Sequence, residues 1–348
     1  MSDRPLTNNV SGGDGPSGQA AANPATAKWR FEIVPPEEEN TRLDRFLRRL
    51  IPGLGQGQIE RMLRTGLVRL DGGKAKAASR LAAGQKIRLP LTLEASSAAP
   101  RPPAVIAPSH ARQQLDEMML AEGKDWLALN KPSGLAVQGG TATTQHVDAL
   151  LQAVADGPAR RLRLVHRIDK DTSGILLLAK SVDAARRLTD AFQRHEIRKT
   201  YLALVNGVGD VAGSIRAPLT KRGGRSGERM QVDDDGQAAH SLYRRLDHAG
   251  RKMALMALRP LTGRTHQLRV HMAHLGTPIC GDGKYGGEAA HPGGLVARRL
   301  HLHAWQLFLP DGTALVAPLG GHMKASLDGL GMAVPAPGWR FEDEDETN

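Results

Sequence analysis

The sequence predicts an α+β fold built as two domains, and three observations lead to this prediction. At 348 residues the chain is longer than a typical single domain. Two blocks with clear apolar periodicity are separated by an Ala-, Pro- and Ser-rich stretch at 91–112, a composition typical of linkers. In the second block several strand patterns follow one another without an intervening helix, which favours a mixed, mostly antiparallel sheet over regular strand–helix alternation.

These patterns divide the chain into five segments. We predict a disordered tail (1–28), a small α/β domain (29–93), a linker (94–114), a main α+β domain (115–320) and a C-terminal extension ending in an acidic tail (321–348). The first tail is rich in Gly, Ser, Ala and Asn and has no apolar periodicity, so it lacks the residues to bury a core.

The small domain begins with a strand-like run and continues with two short helices. Apolar residues at helical spacing predict the buried helix faces: Leu43, Phe46, Leu47 and Leu50 in the first, and Ile59, Met62 and Leu63 in the second. The turn residues at 71–73 predict a hairpin between 67–70 and 74–76. The segment 85–90 predicts a closing strand.

Charge is the clearest functional signal in the composition. The formal net charge is +11, and an excess of this size is typical of proteins that bind a polyanion, nucleic acid first. The charged residues on the polar faces of the two short helices are nearly all positive. They include Arg42, Arg45, Arg48, Arg49, Arg61 and Arg64. We expect these six side chains to contact nucleic acid, either RNA or DNA.

The main domain carries longer and more apolar patterns. Strands are predicted at 126–130, 175–180, 200–207 and 252–260, and helices at 183–195 and 265–275. No uninterrupted apolar run approaches 18 residues, so we expect no transmembrane helix and a cytoplasmic protein. The one cysteine, Cys280, excludes an internal disulfide and a cysteine-based zinc site.

Two other site types are weighed against the sequence. Asp169 and Asp171, followed by Thr172, resemble the paired carboxylates of an aspartate-based phosphatase loop, but the required second acidic pair is missing apart from the polar loop at 233–235. His271 and His274 are three residues apart on a predicted helix, a spacing at which both could bind one metal ion. No acidic residue lies in their segment, however. We therefore expect neither a phosphatase nor a metal site.

Five segments in a fixed order carry a resemblance to a known family. HRIDKDTSGILLLAK (166–180) resembles the HRLDxxTSG signature of the RNA pseudouridine synthases of the ribosomal large-subunit type. Four further segments are similar to that family's other motifs: 125–140, 198–207, 259–287 and 298–310. The small first domain likewise resembles an S4-type RNA-binding domain. Within the family, GLAVQGG is most similar to the C branch, while 270–287 is also similar to the D branch.

The resemblance implies a reaction and its residues. The family converts uridine into its C-glycoside isomer without metal or redox cofactor, so we expect no cofactor. Asp169 matches the family's catalytic aspartate, Tyr201 the tyrosine that stacks on the flipped base, and Arg264 the arginine that pairs with the aspartate. Four more residues are expected to bind the substrate: His166, Arg167, Thr172 and Leu268.

The resemblance also implies a partner. We expect the substrate to be 23S ribosomal RNA, free or in a precursor of the large subunit, and the protein to be a monomer with no membrane partner. Two alternatives stay open: the same reaction on tRNA, and an RNA-binding assembly factor whose catalytic activity is dispensable. An intact set of Asp169, Tyr201 and Arg264 argues against a purely binding role.

Overall fold

The fold was taken from a computed structural model. It describes residues 29–51, 54–91, 106–139, 145–155, 157, 161–224 and 227–341. The predicted tail at 1–28, all of the predicted acidic tail FEDEDETN except Phe341, and most of the predicted linker lie outside these residues. The chain divides into two compact units, 1–102 and 103–348, which are described separately. Within the described residues no helix is long and apolar enough to cross a membrane.

The first unit is a three-stranded sheet covered by two helices. Its elements are β1 (Trp29–Ile33), a 3₁₀ turn (Pro36–Glu38), α1 (Leu43–Leu50), α2 (Gln56–Thr65), β2 (Arg69–Leu70) and β3 (Lys86–Pro90). The predicted apolar helix faces are confirmed, because all seven side chains contribute to one cluster over the sheet. Helix α2 ends at Gly66, whose φ of 72° allows the left-handed turn that glycine tolerates best.

One prediction for this unit was wrong. The segment 74–76 forms no strand, and β2 pairs with β3 instead, giving the order β1-β3-β2. The 71–73 turn is therefore the start of a longer loop that connects β2 to β3 at Lys86. A local turn signal cannot distinguish these two partners, because the choice depends on apolar contacts made by the distant residues Ile87 and Leu89.

The second unit is built on a ten-stranded sheet. Its helices are α3 (Pro108–Met118), α4 (Val147–Ala153), α5 (Val182–Gln193), α6 (Gln267–His274) and α7 (Gly321–Gly329), with a 3₁₀ turn at Gly287–Ala290. Its strands are β4 (Met119–Glu122), β5 (Trp126–Lys131), β6 (Arg163–Leu164), β7 (Ser173–Ala179), β8 (Arg198–Asn206), β9 (Ala212–Arg216), β10 (Leu219–Gly224), β11 (Gly227–Val232), β12 (His240–Ala249), β13 (Met253–Pro260), β14 (Leu302–Phe308) and β15 (Ala314–Val316).

The sheet confirms the predicted α+β class with a mixed, mostly antiparallel sheet. Its strand order is β4-β5-β7-β14-β8-β13-β12-β9, with β15 beside β14 and β6 beside β7, while β10 and β11 form a separate ribbon. Among the described pairs, β7 and β14 run parallel and the others antiparallel. The strongly apolar strands β7, β8 and β13 lie inside the sheet, where both of their faces are covered.

One row of residues crosses the middle of the sheet and brings distant motifs together. Lys131 pairs with Gly174, Gly174 with Ala304, Ala304 with Tyr201, and Tyr201 with Leu258. Gly174 has a φ of 105°, and a Cβ there would lie 2.2 Å from the carbonyl oxygen of Ala304. Only glycine therefore permits this close approach, which places the loop before β7 next to β8.

Residues on both sides of the predicted main domain pack on the second unit. Helix α3 starts at Pro108, inside the predicted linker, and buries Ala111 and Leu115 in the core of the second unit. The predicted C-terminal extension also packs on this unit, through Met323 and Leu327 of α7 and through Phe341 further on. Both segments are short and partly polar, so their apolar contacts are hard to recognise without the partner surface.

Candidate active site

A cavity in the second unit gathers most of the residues predicted to act on the substrate. Its walls come from the loop between β6 and β7, from β8, from the loop after β13 and from α6. Six of the seven predicted catalytic and substrate-binding residues of this unit line it: Arg167, Asp169, Thr172, Tyr201, Arg264 and Leu268. Residues more than 90 positions apart in the chain thus meet at one site.

A buried lysine holds the loop that carries Asp169. The Lys131 side chain is fully buried, and its Nζ donates to the carbonyl oxygens of Pro132 (2.9 Å), Leu135 (2.8 Å) and Lys170 (3.0 Å). Burial lowers the pKa of Lys131 to about 7, although Asp171 and Asp169 oppose this shift. Because one acceptor directly follows Asp169, the lysine fixes the backbone from which the carboxylate projects.

Two basic side chains flank the Asp169 carboxylate. Its Oδ2 lies 3.7 Å from Nη1 of Arg269 and 3.8 Å from Nε2 of His266. Arg269 is itself held by a bidentate pair to Asp282, in which Nε and Nη2 each donate over 2.8 Å. Since the Asp282 side chain is only 1% exposed, this pair is rigid and orients the arginine towards Asp169.

His266 has an unusual backbone conformation at this site. It precedes α6 with a φ of 55°, in the left-handed region that a non-glycine residue rarely adopts. Its Nδ1 lies 2.6 Å from the hydroxyl of Tyr285. Desolvation is the main cause that lowers the pKa of His266, so the imidazole is neutral at neutral pH. Such local strain is typical of functional sites.

Tyr201 and Lys199 project from the same face of β8 into the cavity. Burial, with a smaller contribution from the Asp169 charge, raises the pKa of Tyr201, so the phenol stays protonated at neutral pH. The Nζ of Lys199 lies 5.6 Å from the centre of the Phe192 ring, and desolvation lowers the pKa of this lysine. The tyrosine offers an aromatic surface opposite the carboxylate, and the lysine adds a cation to the same wall.

The predicted pairing of Arg264 with Asp169 was wrong. Arg264 lines the cavity, but its Nε donates to the carbonyl oxygen of Ala238 over 3.0 Å, and Arg269 occupies the position beside the carboxylate. Both arginines lie in the same motif, five residues apart. The left-handed turn at His266 separates them, leaving one in the loop and one on α6.

Gln267 holds this turn in place. Its Oε1 accepts hydrogen bonds from the hydroxyl of Thr262 (2.7 Å) and the backbone N–H of Arg264 (3.0 Å). Its Nε2 donates to the carbonyl oxygen of His240 (2.9 Å) and the hydroxyl of Ser241 (2.8 Å). One buried amide therefore joins the loop after β13, the start of α6 and strand β12.

His166, which we expect to bind the substrate, does not line the catalytic cavity. Its Nε2 accepts a hydrogen bond from the backbone N–H of Leu177 over 2.8 Å, and its ring stacks on Phe192 with 4.3 Å between centroids. Burial lowers the pKa of His166 to about 3, so it is neutral and acts as an internal acceptor. The histidine supports the loop, while the neighbouring Arg167 is exposed at the cavity.

The residues weighed for a metal or phosphatase site have other partners. His271 is buried, with its two ring nitrogens 3.0 Å from the Ser241 hydroxyl and 3.1 Å from the Ala217 carbonyl. Asp233 accepts a hydrogen bond from Arg222 over 3.0 Å. Asp171 is exposed, and its backbone carbonyl accepts from Ser133. Their surroundings are those of structural residues.

Sequence reasoning did not identify Lys131, His266, Arg269 or Asp282 as parts of the site. A signal for one of them was present, because Arg269 lies among apolar residues of a helix that buries nearly all its side chains. A charged residue in such a helix needs a buried counter-charge, and Asp282 is the nearest acidic residue that follows it.

In the first unit, the six predicted RNA-contacting arginines differ in their surroundings. Arg42 donates two hydrogen bonds to the Asp44 carboxylate (3.1 and 2.7 Å), and Arg49 pairs with Glu38. The remaining four are exposed on α1 and α2: Arg45, Arg48, Arg61 and Arg64. The surface of this unit is thus less basic than the sequence alone implied.

Comparison with known proteins decides the family. A family model described as RNA pseudouridylate synthase matches residues 125–274. A ribosomal large subunit pseudouridine synthase C of Haemophilus ducreyi is 35% identical over 312 residues, covering 87% of this chain and 96% of the relative. The chain belongs to the RNA pseudouridylate synthase family. The resemblance of the main-domain motifs to this family is confirmed.

Two further relatives of this pseudouridine synthase extend the comparison. The synthase C of Escherichia coli K12 is 36% identical over 318 residues, covering 88% of this chain and 98% of the relative. The solved structure of human RNA pseudouridylate synthase domain containing 4 aligns with a TM-score of 0.56 and 29% identity, over 66% of this chain and 98% of that chain. The synthase fold predicted for the second unit is therefore confirmed.

Proposed function

We propose that this synthase converts specific uridines of 23S ribosomal RNA into pseudouridine, with Asp169 as the catalytic carboxylate. The observation that carries the proposal is the position of Asp169, in a cavity opposite Tyr201 and between Arg269 and His266. Arg269 and His266 flank the carboxylate on the cavity wall, and a carboxylate placed in this way suits a group that attacks carbon or removes a proton.

The cavity residues have different roles in binding a flipped-out uridine. Extrusion of the base costs a few kcal/mol, and stacking on Tyr201 returns roughly 1–3 kcal/mol of this. Leu268, which is 7% exposed, contributes an apolar surface against the base. Arg269, with Nη1 3.7 Å from Oδ2 of Asp169, orients this carboxylate towards the base and ribose of the substrate. Arg167 and Arg264 lie at the cavity, where they contact the backbone of the substrate.

The large-subunit substrate is supported by the relatives and by charge. The curated relatives named above are ribosomal large subunit pseudouridine synthases that match this chain over nearly their full length. The first unit, which we assign as an S4-type RNA-binding domain, presents exposed arginines on two adjacent helices. The protein acts as a cytoplasmic monomer on rRNA or on a precursor of the large subunit.

The deciding experiment maps pseudouridines in rRNA and tRNA from a deletion strain complemented with wild type or Asp169→Asn. We expect particular 23S uridines to stay unmodified with the variant, while purified Asp169→Asn still binds the RNA. Asp171→Asn is the matched control, because it removes a carboxylate from the same loop that does not line the catalytic cavity. Full modification by Asp169→Asn refutes the catalytic role. Modification confined to tRNA refutes the rRNA assignment.

The role of the first unit is tested separately with Arg45→Gln, Arg61→Gln and Arg64→Gln combined. Each lost phosphate contact reduces the dependence of log Kd on log salt by about 1. The matched variant Arg186→Gln/Arg194→Gln/Arg251→Gln removes three exposed arginines from the second unit. An unchanged salt dependence in the triple variant contradicts RNA contact by these helices.

A further inference from the structure

A second cavity adjoins the catalytic one and is used by no step described so far. It has a volume of about 500 Å³ and shares His266 and Arg269 with the catalytic cavity. Its remaining walls are the loop 281–284, the segment 298–300, and Ser133 with Asp171. The volume falls within the range of about 300–1,000 Å³ typical of sites for small ligands.

The charge of this cavity suits an anion. Four cationic side chains line it, Arg269, Lys284, Arg298 and Arg299, against the carboxylates of Asp171 and Asp282. Asp282 is already neutralised by its bidentate pair with Arg269. In the described part of the chain, no hydrogen bond or ion pair engages the exposed Arg298 side chain. Guanidinium groups match phosphate oxygens with paired hydrogen bonds.

The backbone that carries the two arginines is held from behind. The Nδ1 of His301 lies 2.7 Å from the carbonyl oxygen of Arg299, and its Nε2 lies 2.9 Å from the Ser326 hydroxyl. His322 bonds the carbonyl oxygen of Leu300 over 2.9 Å. The backbone of Arg299 and Leu300 is therefore fixed before any ligand binds. Nη2 of Arg299 also donates to the carbonyl oxygen of Ser133 over 3.3 Å, so Arg298 is the side chain that still has to become ordered.

We propose that this second cavity binds the phosphodiester next to the target uridine. The inference rests on the proposed function, because a nucleotide flipped into the catalytic cavity stays covalently joined to its neighbours. The strand leaves over the shared wall of His266 and Arg269 and passes Arg298 and Arg299. No Phe, Tyr or Trp lines this cavity. Its cationic side chains outnumber its carboxylates, and this excess of positive charge favours the sugar–phosphate backbone over a base.

The test combines a protein change with a chemical change in the RNA. The substrate is an rRNA oligonucleotide that the wild type modifies, in three forms: unaltered, or with a neutral methylphosphonate on the 5′ or the 3′ side of the target uridine. The proteins are wild type, Arg298→Gln, Arg298→Gln/Arg299→Gln, and Arg251→Gln. Arg251 is exposed just before β13, whose other end reaches the catalytic cavity roughly 25 Å away.

We expect the double variant to raise KM about tenfold or more on unaltered RNA, with a salt dependence lower by about 1 to 2 and kcat nearly unchanged. Arg298→Gln alone should show part of this effect, and Arg251→Gln none. One methylphosphonate should raise the wild-type KM in the same way and cause no further increase in the double variant. This absence of additivity identifies the phosphate that the arginines contact.

Three results overturn the inference: an unchanged KM in the double variant, additive effects of the methylphosphonate and the double variant on both sides, or a loss of kcat alone. The last result shows a structural role for the segment. Failure of the proposed function is read independently, from a wild type that modifies no rRNA oligonucleotide.

Discussion

Arg269 is expected to have two separable roles, one in stability and one in chemistry. It forms the buried pair with Asp282 and, from the same guanidinium, lies 3.7 Å from Asp169. Arg269→Met keeps the apolar length of the side chain and removes the charge. Adding Asp282→Asn removes the carboxylate that the first change leaves without a partner.

The two roles have different magnitudes. An unpaired buried carboxylate costs about 3–5 kcal/mol, so Arg269→Met should lower Tm by roughly 6–20 °C for a unit of this size. The double variant should recover most of this loss. A charge about 4 Å from another contributes about 4 kcal/mol at an effective dielectric constant near 20. Because the Asp169 side chain is 21% exposed, we take about half of this as the upper limit of the energy with which Arg269 orients the carboxylate, equivalent to a loss of at most roughly 30-fold in kcat.

Calorimetry measures Tm, and turnover of an rRNA fragment that the wild type modifies measures kcat. Both are compared among wild type, Arg269→Met, Asp282→Asn and the double variant. We expect the double variant to be nearly as stable as wild type and still to be slow. If it is as unstable as Arg269→Met, the unpaired Asp282 is not the source of the loss. If it regains turnover, Arg269 supports catalysis only through the fold.

Three further predictions follow from buried groups. Lys131→Met should lower the free energy of unfolding by about 2–4 kcal/mol, because three carbonyl groups lose their hydrogen-bond donor. Because these carbonyl groups lie next to Asp169, the change should reduce kcat more than it raises KM. Equal effects on both kinetic constants contradict this. Gly174→Ala should prevent stable folding, whereas Gly320→Ala, with no atom within 4 Å of the new Cβ, should be tolerated; similar melting temperatures refute the close-approach argument. Burial lowers the pKa of His303 to about 4. Between pH 6.5 and 4 the unfolded chain therefore binds more protons than the folded chain. The free energy of unfolding falls by about 3 kcal/mol as the pH is lowered through that window. His303→Gln should reduce this slope in urea titrations at pH 4 to 7, and an unchanged slope rules out the histidine as its source.

Apolar periodicity predicted the elements well because it reports a local property. The strands at 126–130, 175–180, 200–207 and 252–260 all exist, within one or two residues of their predicted ends. Helix α5 was predicted from the same kind of pattern and starts where the Ser181 hydroxyl accepts from Ala184. Each of these signals lies within one segment of chain.

The errors concern relations between segments. The pairing of β2 with β3 and the packing of α3 depend on surfaces that the local sequence does not contain. The choice between Arg264 and Arg269 depends on one left-handed residue between them. His166 is adjacent to a catalytic motif, but its acceptor role depends on the position of Leu177 in space. Proximity in a motif is therefore a weaker guide to function than burial and charge balance.

The row of paired residues Lys131, Gly174, Ala304 and Tyr201 restricts where insertions and deletions can occur in the strands. Inserting or deleting one residue within a strand of the row turns the following side chains to the opposite face, so Tyr201 or the anchor of the Asp169 loop is lost. The irregularity after Ala304, where the pairing with β8 shifts before Gln306, shows where the chain already absorbs an extra residue. Length variation among homologues should therefore be confined to the distal part of β14 and to the connections between strands, and the row itself should have constant spacing.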